Sequence, residues 1–227
     1  LGEAIRQSGV DRKELFITTK LHNDDKGYES TLAAFEKSLE KLGTDYVDLY
    51  LIHWPRTKGT GDTYRELNRE TWRAFEKIYK EGRARAIGVS NFHKPFLEEL
   101  LSDPITVKPM VNQIECHPFF YETATIDFCK SQDILLEAYS PLMRGGALET
   151  PVFVELGEKY GKTPAQVVLR WILQHGVIPL PKTVTKSRMI TNLDLYGFQL
   201  SDEDMAKLDA LNRPDGKIGS YPESTHF

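Results

Sequence analysis

The sequence is poor in cysteine, in long apolar runs and in blocks of positive charge, and each shortage excludes a class of protein. The 227-residue chain has only two cysteines, Cys116 and Cys129, too few for a disulfide framework, so a reducing compartment is expected. No apolar run approaches the roughly 18 residues that a membrane helix needs, and no signal-peptide pattern occurs. The net charge is −4 without a Lys/Arg-rich block, which argues against a nucleic-acid partner. We therefore expect a soluble cytoplasmic protein.

Short apolar runs alternate with segments of helical periodicity along the whole chain. The runs, which predict strands, are LFITT (15–19), VDLYLI (47–52), AIGV (86–89), MVNQIE (110–115), ILLEAY (134–139) and VIPL (177–180). The predicted helices are LGEAIRQSG at the start of the chain, 29–42, 64–81, 94–102, 122–132, 151–160, 164–175, 186–195 and 202–211. Strands that alternate with helices imply a parallel sheet, and no shift in composition divides residues 1-227 into more than one domain.

Two α/β architectures fit this pattern, an open doubly wound sheet and a (β/α)8 TIM barrel. An open nucleotide-binding sheet normally has a glycine-rich turn after its first strand, but no G-x-G-x-x-G occurs, and the GGA at 145–147 is isolated. In a barrel, chemical groups are distributed over the carboxyl ends of many strands. Polar residues do follow the runs in turn: Lys20, His53, Ser90 with Asn91, Cys116 with His117, Ser140 and Lys182. A barrel is therefore favoured.

Lys20 and His53 come at the ends of the first two predicted strands. Each taken alone has a structural explanation, as a lysine that reaches solvent or as a hydrogen-bonded histidine. Because adjacent parallel strands bring their ends to one rim, the two side chains together could polarise a carbonyl oxygen and stabilise the alkoxide that forms. Trp54 beside them either lines an apolar pocket or packs in the core.

Polar and aromatic residues on the later strands suggest a ligand with amide and planar groups. The pair Ser90–Asn91 in GVSNF offers donors and acceptors that suit a carboxamide, although a helix cap is the alternative. Gln113 lies within a strand, where its amide needs a partner. Tyr139 offers a flat ring for stacking.

The segment PKTVTKSR (181–188) is the clearest electrostatic feature. Lys182, Thr183 and Arg188 flank the expected start of a helix that follows the last strand. A helix N-terminus with added basic donors is an anion site, and phosphate is the obvious candidate. A solvated basic face is the alternative.

Six motifs, taken in order, resemble those of the aldo-keto reductases. They are FITTKL, LGTDYVDLYLIHWP, AIGVSNF, VNQIECHP, EAYSPL and IPLPKTVTKSR, and the resemblance covers nearly the whole chain. It implies a (β/α)8 barrel that binds NADPH without a Rossmann fold and reduces aldehydes or ketones to alcohols. The short tail RPDGKIGSYPESTHF (213–227) is similar to that of bacterial members, and a monomer is the expectation for the family.

The resemblance also implies a role for each candidate residue. Lys20 and His53 correspond to the family's active-site lysine and histidine, and Trp54 would line the substrate pocket. The implied cofactor contacts are Ser90, Asn91, Gln113 and Tyr139 for the nicotinamide, Ser140 and Leu142 beside the pyrophosphate, Lys182, Thr183 and Arg188 for the 2′-phosphate, and Asn192 near the adenine.

Part of the family pattern has no counterpart in the sequence. The family's aspartate and proton-donor tyrosine belong to a pattern like DTAxxYGNE, which does not occur here. The sequence begins at Leu1 and predicts six strands where a barrel has eight, so we expect the first two strands and the start of the second helix to be lacking.

Two other functions stay open on the sequence. One is a non-catalytic regulatory or structural member of the same family that binds the cofactor, since the proton-donor tyrosine segment is absent. The other is a metal-dependent hydrolase, which needs clustered ligands such as an H-x-H pair. His22, His53 and His117 are isolated from one another, so no metal is expected.

Overall fold

The computed structural model describes residues 1–57 and 60–222. These residues form two compact units. The first unit contains Leu1–Asn112, Phe128–Ile134 and the chain from Tyr221, and the second contains Gln113–Asp127 and Leu135–Ser220. The single domain expected over residues 1-227 stays a prediction, and each unit is described by itself.

Six strands alternate with helices, as the sequence predicts. They are β1 (Thr18–Leu21), β2 (Val47–Ile52), β3 (Ala84–Ser90), β4 (Val111–Glu115), β5 (Leu135–Tyr139) and β6 (Val177–Pro179). Their order in the sheet is β1-β2-β3-β4-β5-β6. The pairs β1 with β2, β2 with β3, and β5 with β6 are parallel.

Nine α-helices lie in the described ranges, and all the predicted helices are among them. They are α1 (Gly2–Ser8), α2 (Tyr28–Leu42), α3 (Tyr64–Lys80), α4 (Lys94–Ser102), α5 (Thr123–Ser131), α6 (Pro151–Tyr160), α7 (Pro164–Gln174), α8 (Lys186–Leu193) and α9 (Asp202–Asp209). Side-chain caps set several of these starts. Thr163 accepts a hydrogen bond from the backbone N–H of Gln166 in a capping box, and Ser201 accepts one from the N–H of Asp204, so both satisfy a first-turn donor. None of the described helices combines the length and the apolar character that crossing a bilayer requires.

The first strand begins later than the sequence predicts. Leu15 still belongs to the end of a 3-10 turn, and the side chain of Phe16 is 71% exposed. The N–H of Ile17 donates to the side-chain carboxylate of Asp48 at 2.9 Å, and not to a backbone oxygen of the neighbouring strand. The ladder therefore starts at Thr18 opposite Leu49, and the predicted strand 15–19 is wrong by two to three residues. The shift places Lys20 within β1.

The core of the first unit is built around β2, which is buried at every position. Tyr50 is fully buried, with its ring centroid 4.8 Å from that of Phe35 in α2 and 4.4 Å from that of Phe75 in α3. Burying each large ring stabilises the fold by roughly 1.5–3 kcal/mol. Gly88 in β3 permits a close backbone approach, since a Cβ there would lie 2.3 Å from the carbonyl oxygen of Val111.

The core of the second unit is formed by α6, α7 and α9. Trp171 is fully buried, and its Nε1 donates to Asp209 at 2.8 Å. The buried carboxylate of Asp204 accepts hydrogen bonds from Lys159 and Tyr160, both at 2.6 Å. These hydrogen bonds hold α9 against α6.

Candidate active site

Polar side chains meet at the carboxyl ends of β1, β2 and β3 in the first unit. Lys20 is opposite Leu51, two residues before His53. Asn91 directly follows β3, and its Nδ2 donates to the backbone oxygen of His53 at 2.9 Å and to Ser90 Oγ at 3.2 Å. Asn91 holds this position with a left-handed φ of 61°, which asparagine tolerates better than most residues. The ends of β2 and β3 are therefore tied together by a side chain.

The imidazole of His53 is neutral at physiological pH. Burial, followed by the nearby charges of Lys20 and His22, lowers the pKa of His53 to about 4. A neutral ring carries one N–H donor and one acceptor nitrogen. Within the described residues the ring makes no hydrogen bond, so its donor is available to a ligand.

The segment after His53 is fixed by a residue that the sequence did not single out. Trp54 is buried, with its ring centroid 6.2 Å from that of His53. The Nζ of Lys26 donates to the backbone oxygen of Pro55 at 2.7 Å and to Asn68 Oδ1 at 2.8 Å. Burial lowers the pKa of Lys26 to about 7. No pattern in HNDDKGYES distinguishes this lysine from a solvated one.

In the second unit, polar groups on β4 and β5 contact each other. Gln113 is buried, and its Nε2 donates to Glu137 Oε2 at 2.8 Å, so its amide has the partner that its place in a strand requires. Burial and the neighbouring carboxylate of Glu115 raise the pKa of Tyr139 above its usual range. Its phenol therefore stays protonated at neutral pH.

Glu115, the last residue of β4, contacts the segment 217–219 near the C-terminus. Its carboxylate accepts hydrogen bonds from the backbone N–H groups of Ile218 at 2.5 Å and Gly219 at 2.9 Å. His117 Nε2 lies 3.1 Å from Oε1, and Lys217 Nζ lies 3.5 Å from Oε2. Burial alone would raise the pKa of Glu115, but these contacts outweigh it and lower the pKa to about 2. A glutamate in an apolar strand was the only sequence signal for this network.

The remaining predicted residues line one cleft of about 650 Å³ in the second unit. They are Ser140, Leu142, Lys182, Thr183, Arg188 and Asn192. In the described part of the chain neither Lys182 nor Arg188 forms an ion pair. The helix α8 begins beside them, and the side chain of its N-cap, Thr185, makes no capping hydrogen bond. Unpaired cations and uncapped N–H groups both favour an anion in this cleft.

The predicted site residues thus fall into two groups. Lys20, His53, Trp54, Ser90 and Asn91 come together in the first unit, and Gln113, Tyr139 and the residues of the cleft lie in the second. Among the described residues there is no group of three or more His, Cys, Asp or Glu side chains that could hold a metal ion.

Comparison with known proteins places the chain among oxidoreductases. The profile of the Aldo/keto reductase family matches residues 1–213. A glyoxal reductase of Bacillus subtilis (strain 168) is 54% identical over 227 residues, which are 100% of this chain and 79% of that protein.

Solved structures agree with this match. An aldo-keto reductase from a Medee basin deep-sea metagenome library is 40% identical with a TM-score of 0.90, over 100% of this chain and 81% of that one. An aldo-keto reductase of Bombyx mori in complex with NADP is 37% identical with a TM-score of 0.82, over 92% and 72% of the two chains. The (β/α)8 fold class predicted from the sequence is thereby confirmed, and the chain belongs to the aldo/keto reductase family.

Proposed function

We propose that this protein reduces aldehydes or ketones to alcohols with NADPH as the hydride source. The observation that carries the proposal is the cleft in which Lys182 and Arg188 have no ion-pair partner among the described residues. The NADP bound to the Bombyx mori relative supports the cofactor, and the name of the glyoxal reductase supports a small aldehyde as the substrate.

Lys20 and His53 are the proposed catalytic residues. When it is bound, NADPH supplies the hydride that the chemistry needs. His53 is neutral and can donate a hydrogen bond to the carbonyl oxygen, which increases the positive charge on the carbonyl carbon. The charge of Lys20 stabilises the negative charge that develops on that oxygen. Trp54 would form an apolar wall of the substrate pocket.

The other residues would position the cofactor. Lys182, Thr183 and Arg188 would hold the 2′-phosphate, Asn192 would lie near the adenine, and Ser140 and Leu142 would lie beside the pyrophosphate. Ser90, Asn91 and Gln113 would hold the nicotinamide carboxamide, and the ring of Tyr139, with its phenol neutral, would stack on the nicotinamide.

The cofactor assignment is tested by replacing Arg188. Arg188→Ala should weaken NADPH by roughly tenfold to a hundredfold, since a charge-assisted hydrogen bond contributes about 1.5–3 kcal/mol, and should leave NADH within twofold. Lys186→Ala is the matched control, because Lys186 is a cation of the same helix that does not line the cleft. Equal losses for both cofactors in Arg188→Ala, measured by fluorescence titration, would contradict the 2′-phosphate assignment.

Turnover separates the proposed function from its alternative. The consumption of NADPH with glyoxal, methylglyoxal and small keto sugars should be measured on the complete gene product. Cofactor binding without reduction of any carbonyl would favour a non-catalytic regulatory or structural role, for which the names of the relatives give no support.

The cellular location and the oligomeric state are also part of the proposal. Cys116 and Cys129 are both buried and are not joined in a disulfide, which fits a reducing, cytoplasmic location, and a monomer is the inferred state. The short tail at 213–227, which resembles that of bacterial members, includes residues 223–227, which lie outside the described residues.

A further inference from the structure

We propose that Lys26 is a positioning residue for the reaction, because its side chain holds the backbone that carries His53 and Trp54. Residues 53–55 are called the His53 segment. The catalytic consequence of this inference rests on the proposed function, but the contact itself does not. Neither the sequence motifs nor the comparisons single out Lys26.

The His53 segment lies beyond the end of its strand, where side chains supply its backbone contacts. The pairing of β2 with β1 and β3 ends before this segment. The backbone oxygen of His53 accepts a hydrogen bond from Asn91 Nδ2 at 2.9 Å, and that of Pro55 accepts one from Lys26 Nζ at 2.7 Å. Trp54 lies between these two anchors in the chain and is buried. The segment is therefore held at both ends, by one residue after β3 and by one residue before α2.

The turn before α2 fixes the backbone from which the Lys26 side chain extends. The backbone oxygen of Lys26 accepts from Ser30 Oγ at 2.6 Å, and the N–H of Gly27 donates to Thr71 Oγ1 in α3 at 2.9 Å. Gly27 has a φ of 103°, a conformation that glycine adopts far more readily than residues with a Cβ. Because α2 and α3 hold the backbone on both sides, the side chain has a defined origin from which to reach Pro55.

The amino group of Lys26 lies in surroundings that are unusual for a lysine. The side chain is buried, and Nζ also donates to Asn68 Oδ1 at 2.8 Å, so both of its acceptors are neutral oxygens. Burying a cation beside neutral partners is costly, and burial accordingly lowers the pKa of Lys26 to about 7. An apolar residue would avoid this cost but could not bind the oxygen of Pro55. The charged and the neutral amino group can each donate to both oxygens, so the contact is kept in either form.

The titration of His53 measures whether Lys26 holds the imidazole in place. Burial is the largest cause of the lowered pKa of His53, and the charges that add to it are those of Lys20 and His22. Lys26→Met keeps an unbranched side chain but removes both hydrogen bonds. The NMR midpoint of His53 should then move from about 4 toward the ordinary 6.5. Since the charge of Lys26 is not among these causes, such a change reports the position of the ring.

Steady-state kinetics connect the contact with the reaction. Lys26→Met should lower kcat for glyoxal about tenfold, because misplacing a reacting group by about 1 Å can cost up to about a hundredfold. The affinity for NADPH, measured by fluorescence titration, should stay within about twofold, since Lys182 and Arg188 lie in the other unit. Lys26→Arg keeps a cationic donor for the same oxygens and should recover part of kcat and of the low midpoint.

Glu76→Gln is the matched control on α3, the helix that also carries Asn68. Glu76 accepts hydrogen bonds from the backbone N–H groups of Thr106 and Val107 and does not contact the His53 segment. This variant should therefore leave both the midpoint of His53 and kcat unchanged. Circular dichroism checks the fold of each variant. Lys26→Gln, which is too short to reach both oxygens, takes the place of Lys26→Met if the latter does not fold.

The outcomes separate this role from the proposed function. An unchanged midpoint or an unchanged kcat in Lys26→Met, or equal changes in Glu76→Gln, would overturn the role of Lys26 and leave the proposed function intact. If the wild-type protein reduced no carbonyl, the proposed function would fall, and the midpoints of His53 would still decide whether Lys26 holds the segment.

Discussion

The carboxylate of Glu115 gives the sharpest prediction about stability. Its partners are the backbone N–H groups of Ile218 and Gly219, the ring of His117 and the ammonium group of Lys217, whose side chain is only 2% exposed. Glu115→Gln keeps the size of the side chain but removes its charge. It also turns an amide NH2 group toward the backbone N–H donors and removes the negative charge that lies 3.5 Å from Lys217 Nζ.

The size of the loss follows from the pKa and from the burial of the pair. A carboxyl group whose pKa falls from 4.5 to about 2 is stabilised on the order of 3 kcal/mol at neutral pH. Removing one partner of a buried ion pair costs roughly 3–5 kcal/mol. We therefore expect Glu115→Gln to lower the free energy of unfolding by about 3 kcal/mol at pH 7.

Urea denaturation, followed by tryptophan fluorescence, measures this free energy. Glu155→Gln on the exposed side of α6 is the matched control and should change it by less than about 0.5 kcal/mol. A loss below about 1 kcal/mol in Glu115→Gln would refute the reasoning. So would a wild-type stability that does not fall as pH drops from 4.5 toward 2, where the folded carboxylate takes up its proton.

Two further predictions concern titration in the first unit. Because burial and the charge of Lys20 lower the pKa of His53 to about 4, its imidazole should stay neutral from pH 8 to pH 5; an NMR midpoint near 6.5 would contradict this. Because the pKa of Lys26 is lowered from 10.5 to about 7, the unfolded chain binds more protons between these values, so stability should rise with pH across that window. Lys26→Met should remove this part of the pH dependence in thermal unfolding, and an unchanged slope would show that Lys26 is charged in the folded state.

Most strands and helices could be predicted from the sequence because the local apolar pattern and the capping residues agree with the packing in the structure. The run VDLYLI is apolar enough to be buried on both faces, and β2 is buried at every position. Thr163 and Ser201 are followed by residues that complete a helix cap, and the side chains of both cap their helices. The clustering of Ser90, Asn91 and His53 was also predictable, because it follows from parallel strands ending at one rim.

What the sequence could not show depends on contacts between distant residues. β1 begins late because the side chain of Asp48 accepts the N–H of Ile17, and no local pattern contains that bond. Glu115 binds backbone groups 103 and 104 residues further along the chain. The burial of Lys26 depends on Pro55 and Asn68 in the same way. Periodicity predicts which face is buried, but not which polar groups pair across it.

The hydrogen bond from Asn91 to the backbone oxygen of His53 constrains how such an enzyme can evolve. A substitution at Asn91, a proposed nicotinamide contact, would also shift the chain that carries His53, the proposed catalytic histidine, so it would change two properties at once. Arg188 and Lys182 lie in the other unit. Under the proposed function, selection for a different coenzyme can act on Lys182 and Arg188 while the hydrogen bond between Asn91 and the backbone of His53 is kept.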